Sequence, residues 1–142
     1  MDAKGRVPIP SKYHEELFKC ADAKLVVTRD HMEKCLAIYP LNEWQNIVSM
    51  FDGFSPFDKK ADILQRIIIE HADIVDLDSA KRILIPSFLR ELIGLKKDVV
   101  LTGSRTRFRL WDKQYWKEVN LEDLNTVKND EEWIKDFKGI KL

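Results

Sequence analysis

Five residues near the start, Asp2-Ala3-Lys4-Gly5-Arg6, combine two cations with a turn-forming pair. Glycine accepts a positive φ at no steric cost, and aspartate closes Asx-type turns. The tip of such a turn projects Lys4 and Arg6 outward. Arginine offers a rigid fork that matches a phosphate or a guanine edge, and lysine a mobile point charge. Segment 1–14 carries three basic residues against one acidic. This pattern fits a grip on a polyanion. The plain alternative is a solvated turn whose Asp–Arg pair holds a hairpin.

A second set, Asp78-Ser79-Ala80-Lys81-Arg82, keeps the charge in Lys81 and Arg82 but lacks the turn glycine. Asp76 and Asp78 dilute it. It reads equally as a second polyanion contact or as a structural or subunit-packing element. No catalytic constellation emerges. The three histidines, His14, His31 and His71, have no metal-ligand spacing, and no Gly-rich phosphate loop is present. Cys20 and Cys35 read as buried small hydrophobes, and Trp44, Trp111 and Trp116 as core or interface packing. The expectation is a non-enzyme with no metal, cofactor or small-molecule substrate.

Composition agrees. The chain has 142 residues, 44% hydrophobic and 34% charged, which excludes a disordered or collagen-like chain. No apolar run approaches a membrane span, and no secretory signal is visible at Met1. Two unpatterned cysteines fit a reduced cytoplasm. The 24 basic and 24 acidic residues cancel. A globally basic coat is excluded, so nucleic-acid binding requires a local patch.

The elements that must position the two turns repeat. At an offset of 76, Asp2, Arg6 and Ile9-Pro10-Ser11 match Asp78, Arg82 and Ile85-Pro86-Ser87. Val26-Val27-Thr28 matches Val100-Leu101-Thr102 at 74, and Tyr39 and Trp44 match Trp111 and Trp116 at 72. Three matches in order, drifting smoothly, indicate duplication. Each copy reads as a short strand (Arg6–Ile9; Arg82–Ile85), then a helix opened by Pro10 or Pro86. Tyr13 and Leu17 share a helix face, as do Leu89 and Ile93, and Gly94 stops the second helix. A hairpin follows in each copy: Lys24–Thr28 with Cys35–Tyr39, and Asp98–Thr102 with Phe108–Trp111. A further helix comes next. Leu41, Trp44, Ile47, Val48 and Phe51 form one apolar stripe, and Asp112 caps the other helix.

Residues 52–58 form a loop, and 59–71 a helix with Ile63, Leu64, Ile67 and Ile68 in register. The organisation is then a first half over 1–51, a linker over 52–71, a second half over 72–120 and an acidic helical tail over 121–142. A strand, Ala72–Leu77, precedes Asp78, whereas only Met1 precedes Asp2. Either this start is truncated, or the first half takes that pairing from elsewhere.

The turn Asp-x-Lys-Gly-Arg, then a proline, then a basic residue four further on, resembles the MraZ family of bacterial transcription regulators. The first copy supplies Asp2, Lys4, Gly5, Arg6 and Pro10, with His14 where the family usually has arginine. The second supplies Asp78, Arg82, Pro86 and Arg90, with Ala80 and Lys81 in place of Lys and Gly. Tyr39-Pro40, Trp44, Trp111-Asp112 and Trp116 are also similar. The resemblance covers about residues 2–120.

It implies an α+β fold of two swapped-hairpin, AbrB-like β-barrel halves with flanking helices and a pseudo-twofold relation. It implies a homo-oligomeric ring that binds repeated boxes of double-stranded DNA at the promoter of the division and cell-wall cluster, at the nucleoid. Family members carry a strand ahead of the first motif, in line with a truncated start. DNA contact then falls to Lys4, Gly5, Arg6, Lys81 and Arg82. Asp2, Pro10, His14, Asp78, Pro86 and Arg90 support the motif, Arg90 pairing with a carboxylate of its own fold and His14 less so. The rival reading is a ring-forming protein-interaction scaffold whose loops touch no DNA.

Overall fold

Two antiparallel sheets bury a layer of branched aliphatic residues between them. The computed structural model describes residues 1–15, 17, 24–130 and 132–137. The strands among them are β1 (Arg6–Pro8), β2 (Lys24–Arg29), β3 (Leu36–Pro40), β4 (Asp73–Asp76), β5 (Arg82–Leu84), β6 (Val99–Ser104) and β7 (Arg107–Asp112). The helices are α1 (Leu41–Met50), α2 (Lys59–Ile68), α3 (Ser87–Ile93) and α4 (Lys113–Asn129). The fold is mixed α+β. Among the described residues, no helix is long and apolar enough to cross a membrane. Cys20 lies outside the described residues.

The smaller sheet is a ribbon of β1 and β5. Its register pairs Arg6 with Leu84, Val7 with Ile83 and Pro8 with Arg82. Val7 and Ile83 are repeat equivalents, so the ribbon is symmetric about its own centre. Hydrogen bonds beyond the strands repeat that symmetry. The Ile9 amide donates to Lys81 O at 3.0 Å, and the Ile85 amide to Gly5 O at 2.9 Å.

The larger sheet has the order β4-β2-β3-β7-β6. Both expected hairpins form, β2 with β3 and β6 with β7. They join where β3 meets β7, with Ala37 opposite Arg109, again repeat equivalents at the 72-residue offset. β4, the strand ahead of the second turn, adds to β2 of the first repeat. The pairing of the first half therefore comes from across the repeat.

Side-chain alternation divides the core into two layers. Leu25, Val27, Leu36, Ile38, Phe108 and Leu110 face the ribbon residues Val7, Ile9, Ile83 and Ile85, with Leu17, Leu89 and Ile93 closing the layer. Val26, Ala37 and Tyr39 face the other way, onto Trp44 and Ile68. Each of these large side chains contributes about 1.5–3 kcal/mol by leaving water. Tyr13 sets its ring edge-on to Phe108, centroids 4.6 Å apart, which seats the first repeat's 3-10 turn (Ser11–Tyr13) against β7.

One expectation shifts in detail. The stripe on α2 is only partly used: Ile67 and Ile68 pack on the sheet, whereas Ile63 and Leu64 are 41% and 36% exposed. Only the last turn of α2 reaches the sheet, where Thr28 Oγ1 donates to Ile68 O. At the C-terminus of β7, Asp112 stands directly ahead of α4, and its Oδ1 accepts from the Lys96 amide at 3.3 Å. Gly94 ends α3 as expected, left-handed at φ 66°.

Residues Met1–Asp112 form one unit and Lys113–Leu142 a second. In the second, α4 is followed by a short 3-10 turn, Ile134–Asp136, where the Trp133 and Phe137 rings lie 6.3 Å apart.

Candidate nucleic-acid interface

The two basic turns are built alike, bond for bond. Asp2 Oδ1 accepts from the Lys4 and Arg6 amides at 3.0 and 2.9 Å, and Asp78 Oδ1 from the Ala80 and Arg82 amides at 2.9 and 2.9 Å. The Gly5 amide donates to Asp2 O at 3.1 Å, and the Lys81 amide to Asp78 O at 3.0 Å. Each aspartate also takes its own arginine through Nε, Arg6 at 2.6 Å and Arg82 at 3.0 Å. Four amides of each turn, those of residues 2, 4, 5 and 6 and of 78, 80, 81 and 82, are thereby satisfied within the turn itself.

The carboxylates respond to these donors. The Arg6 amide, then the Arg6 guanidinium and the Lys4 amide, hold Asp2 down from 3.8 to about 2, against the opposing effect of partial burial. The Arg82 amide leads the same lowering at Asp78. A carboxyl whose pKa is depressed on folding stabilises the fold above its ordinary pKa and loses that contribution as the pH falls through the depressed value. The first turn should therefore loosen between pH 3.8 and about 2. The hydrogen-exchange protection of the Arg6 amide, taken relative to the intrinsic rate at each pH and followed by NMR, should fall toward the acid end of that window.

The missing glycine does not alter the second turn. Gly5 has φ 90°, and Lys81, its equivalent, adopts φ 61° although it carries a Cβ. That conformation costs an L-residue about 1–2 kcal/mol. Lys81→Gly should raise stability by about 0.5–1 kcal/mol, once the extra chain entropy of glycine is offset. Gly5→Ala should lower stability by at least about 1–2 kcal/mol, because its Cβ would also displace the Arg90 guanidinium, 2.7 Å away. Denaturant titration measures both.

The ribbon presents the two arginines together. Val7 and Ile83 point into the core, so Arg6, Pro8, Arg82 and Leu84 occupy the outer face. The side chains of Arg6 and Arg82 are 34% and 33% exposed. Arg82 Nη1 also reaches Asp2 Oδ2 at 3.8 Å, so Arg82 answers to two carboxylates. Lys4 is exposed at the tip of the first turn.

Pro10 and Pro86 stand just ahead of the following helical segments, at φ −55° in both. His14 Nε2 meets Ile9 O at 2.6 Å, and its equivalent Arg90 donates from Nε to Ile85 O at 3.1 Å. The expected carboxylate partner of Arg90 is thus replaced by a backbone carbonyl. The reason is position: its guanidinium lies over Gly5, in space a side chain would fill.

One charged cluster had no place in the expectations. Asp30, fully buried, accepts from the Met32 and Glu33 amides at 3.1 and 3.0 Å through Oδ2. Its Oδ1 accepts from Arg109 Nε at 3.2 Å and lies 3.9 Å from Arg107 Nη2. Arg107 Nη1 donates in turn to Tyr39 Oη at 3.1 Å. Burial raises the Asp30 pKa, but the two amides and the two guanidinium groups outweigh it and the net shift is downward. Nearby Cys35 is buried, and burial pushes its thiol up to about 12, which suits a packing residue and not a nucleophile. Among the described residues, no group of three metal-ligating side chains forms.

A family model described as "MraZ protein, putative antitoxin-like" matches the chain twice, over residues 1–67 and 68–137. The chain is 41% identical to the transcriptional regulator MraZ of Nitrosomonas eutropha, over 100% of this chain and 94% of the relative. The chain belongs to the MraZ family. It is also 34% identical to the transcriptional regulator MraZ of Pseudomonas putida strain W619, with 100% and 94% of the two chains covered. The counterpart in Nitrosomonas europaea is 40% identical, over 91% of this chain and 86% of the relative. The two matches of the MraZ model divide the chain at the last residue of α2. Each match holds one basic turn and one hairpin. The MraZ relatives are named as regulators and not as enzymes.

Proposed function

We propose that this MraZ-family chain is a sequence-specific DNA-binding transcription regulator, with residues 2–6 as the main contact and 78–82 as the lesser one. The observation that carries this reading is the ribbon. It sets Arg6 and Arg82, each oriented by its own aspartate, on one outer face. A two-stranded ribbon is among the elements that the major groove admits, and arginine there reads guanine through O6 and N7. Lys4 supplies a phosphate contact that sets register.

The two halves, 1–51 and 72–120, act as one swapped-hairpin, AbrB-type unit with a pseudo-twofold relation. The exchange of β4 onto β2 and the symmetric registers support this. A neutral chain with small basic tips binds one site weakly. Homo-oligomers, arranged as a ring on repeated boxes, supply the missing affinity by avidity. The target is the promoter of the division and cell-wall cluster, at the nucleoid. Leu84 and Phe88, 54% and 48% exposed, favour the rival reading of a ring scaffold with protein contacts alone.

Fluorescence anisotropy on promoter and scrambled duplexes, at several salt concentrations, separates the two. Affinity for the promoter duplex should fall steeply with salt. Lys4→Ala should weaken both duplexes alike and lower the salt slope by about one. Indifference to both duplexes at low salt would leave the scaffold.

A further inference from the structure

We propose that Arg90, from the second repeat, completes the first turn as a DNA phosphate contact, which makes that tip a joint product of both repeats. The inference rests on the DNA-binding reading above and assigns a residue that the motif alone treated as structural support.

The geometry is specific. A Cβ built on Gly5 would stand 2.7 Å from Arg90 Cζ, 2.8 Å from Nε and 3.0 Å from Nη1. The guanidinium therefore lies flat against the Gly5 backbone, which explains why Gly5 is buried at an otherwise open turn. Two hydrogen bonds lock the seat. Arg90 Nε donates to Ile85 O at 3.1 Å, and the Ile85 amide donates to Gly5 O at 2.9 Å. Nε is thereby used, while Nη1 and Nη2 find no acceptor among the described residues. Arg6 and Arg82 each face a carboxylate, Asp2 for Arg6 and Asp78 with Asp2 for Arg82, whereas among the described residues none pairs with Arg90. A half-buried guanidinium with its outer donors unspent, beside the exposed Lys4, is a seat for a phosphate oxygen.

The second turn supports the assignment by contrast. Its glycine equivalent, Lys81, carries a Cβ in the space that Arg90 uses over Gly5, and the equivalent of Arg90 is His14. The seat over glycine and the arginine occur together in one tip and are both missing from the other. The tips are thus unequal, and the first carries the larger share of the phosphate contacts.

The test compares Arg90→Gln with Arg90→Lys in the full chain, by anisotropy on random and promoter duplexes across salt. Arg90→Gln should weaken both duplexes about tenfold, the scale of one charge-assisted hydrogen bond. It should also lower the salt slope by about 0.9, one phosphate contact. Arg90→Lys, which keeps the charge, should retain the slope. An unchanged slope in Arg90→Gln, with Lys4→Ala still lowering it, would overturn the Arg90 contact and leave the DNA-binding reading standing. Unchanged slopes in both variants would instead overturn that reading. If Arg90→Gln fails to fold, arginine side-chain NMR on the unmodified chain decides. The Arg90 Nη signals should shift and slow on adding a random duplex, and signals that stay put would refute the contact.

Discussion

Asp30→Ala should lower folding stability by about 3–5 kcal/mol, the cost of leaving a buried ion pair half-made. Two amides, of Met32 and Glu33, lose their acceptor inside the β2–β3 loop. Arg109 loses the carboxylate that faces it from the other repeat. The guanidinium groups keep partial access to water, with 28% of the Arg109 and 22% of the Arg107 side chain exposed, which places the loss toward the lower end. A thermal midpoint lower by on the order of 10 °C would match. Asp30→Asn keeps an acceptor and a similar shape, so it should lie between wild type and alanine. The pH response follows from the direction of the shift. A depressed pKa gives stability that is present above the ordinary carboxylate range and disappears as the pH falls below it. The alanine variant should therefore lose less stability on acidification than the wild type. Calorimetry at neutral and acid pH would check both statements.

Arg6→Ala should weaken binding to the specific duplex by about 1–3 kcal/mol while changing random-duplex binding far less, because a bidentate guanine contact discriminates by that amount. The geometry suits this role. Asp2 engages Nε alone at 2.6 Å, which orients the fork without covering its outer edge. Arg82 is held by Asp78 and by Asp2 at 3.8 Å, so Arg82→Ala should cost less than Arg6→Ala. Equal losses on specific and random duplexes would instead make Arg6 a phosphate contact.

Much of the site was legible because the chain repeats. Once Asp2 matches Asp78 and Arg6 matches Arg82, the same turn follows twice, and the structure builds it with the same hydrogen bonds. Hairpins and the Gly94 stop are likewise local, fixed by alternation and by one left-handed residue. What could not be read depends on contacts between repeats. The seat of Arg90 over Gly5 requires knowing that β1 pairs with β5. Asp30 reads as a loop aspartate until β7 is placed beside β3, which brings Arg107 and Arg109 to it. The alternation of Arg107, Phe108 and Arg109 was the available signal, since two arginines on one face of a buried strand need a partner. Lys81 at positive φ runs against local propensity and is imposed by the turn around it. Ile63 and Leu64 show the converse, an apolar stripe correctly periodic but uncovered beyond the last turn of its helix.

The central claim, that the two turns of the ribbon bind DNA, is tested most directly by one titration. Wild type and the Arg6→Ala/Arg82→Ala double variant would be titrated onto a duplex of the repeated promoter boxes and onto its scrambled counterpart, at one fixed salt. The wild type should prefer the promoter duplex, and the double variant should lose that preference while its melting curve still shows a cooperative fold. A double variant that folds and keeps the full preference would contradict the account.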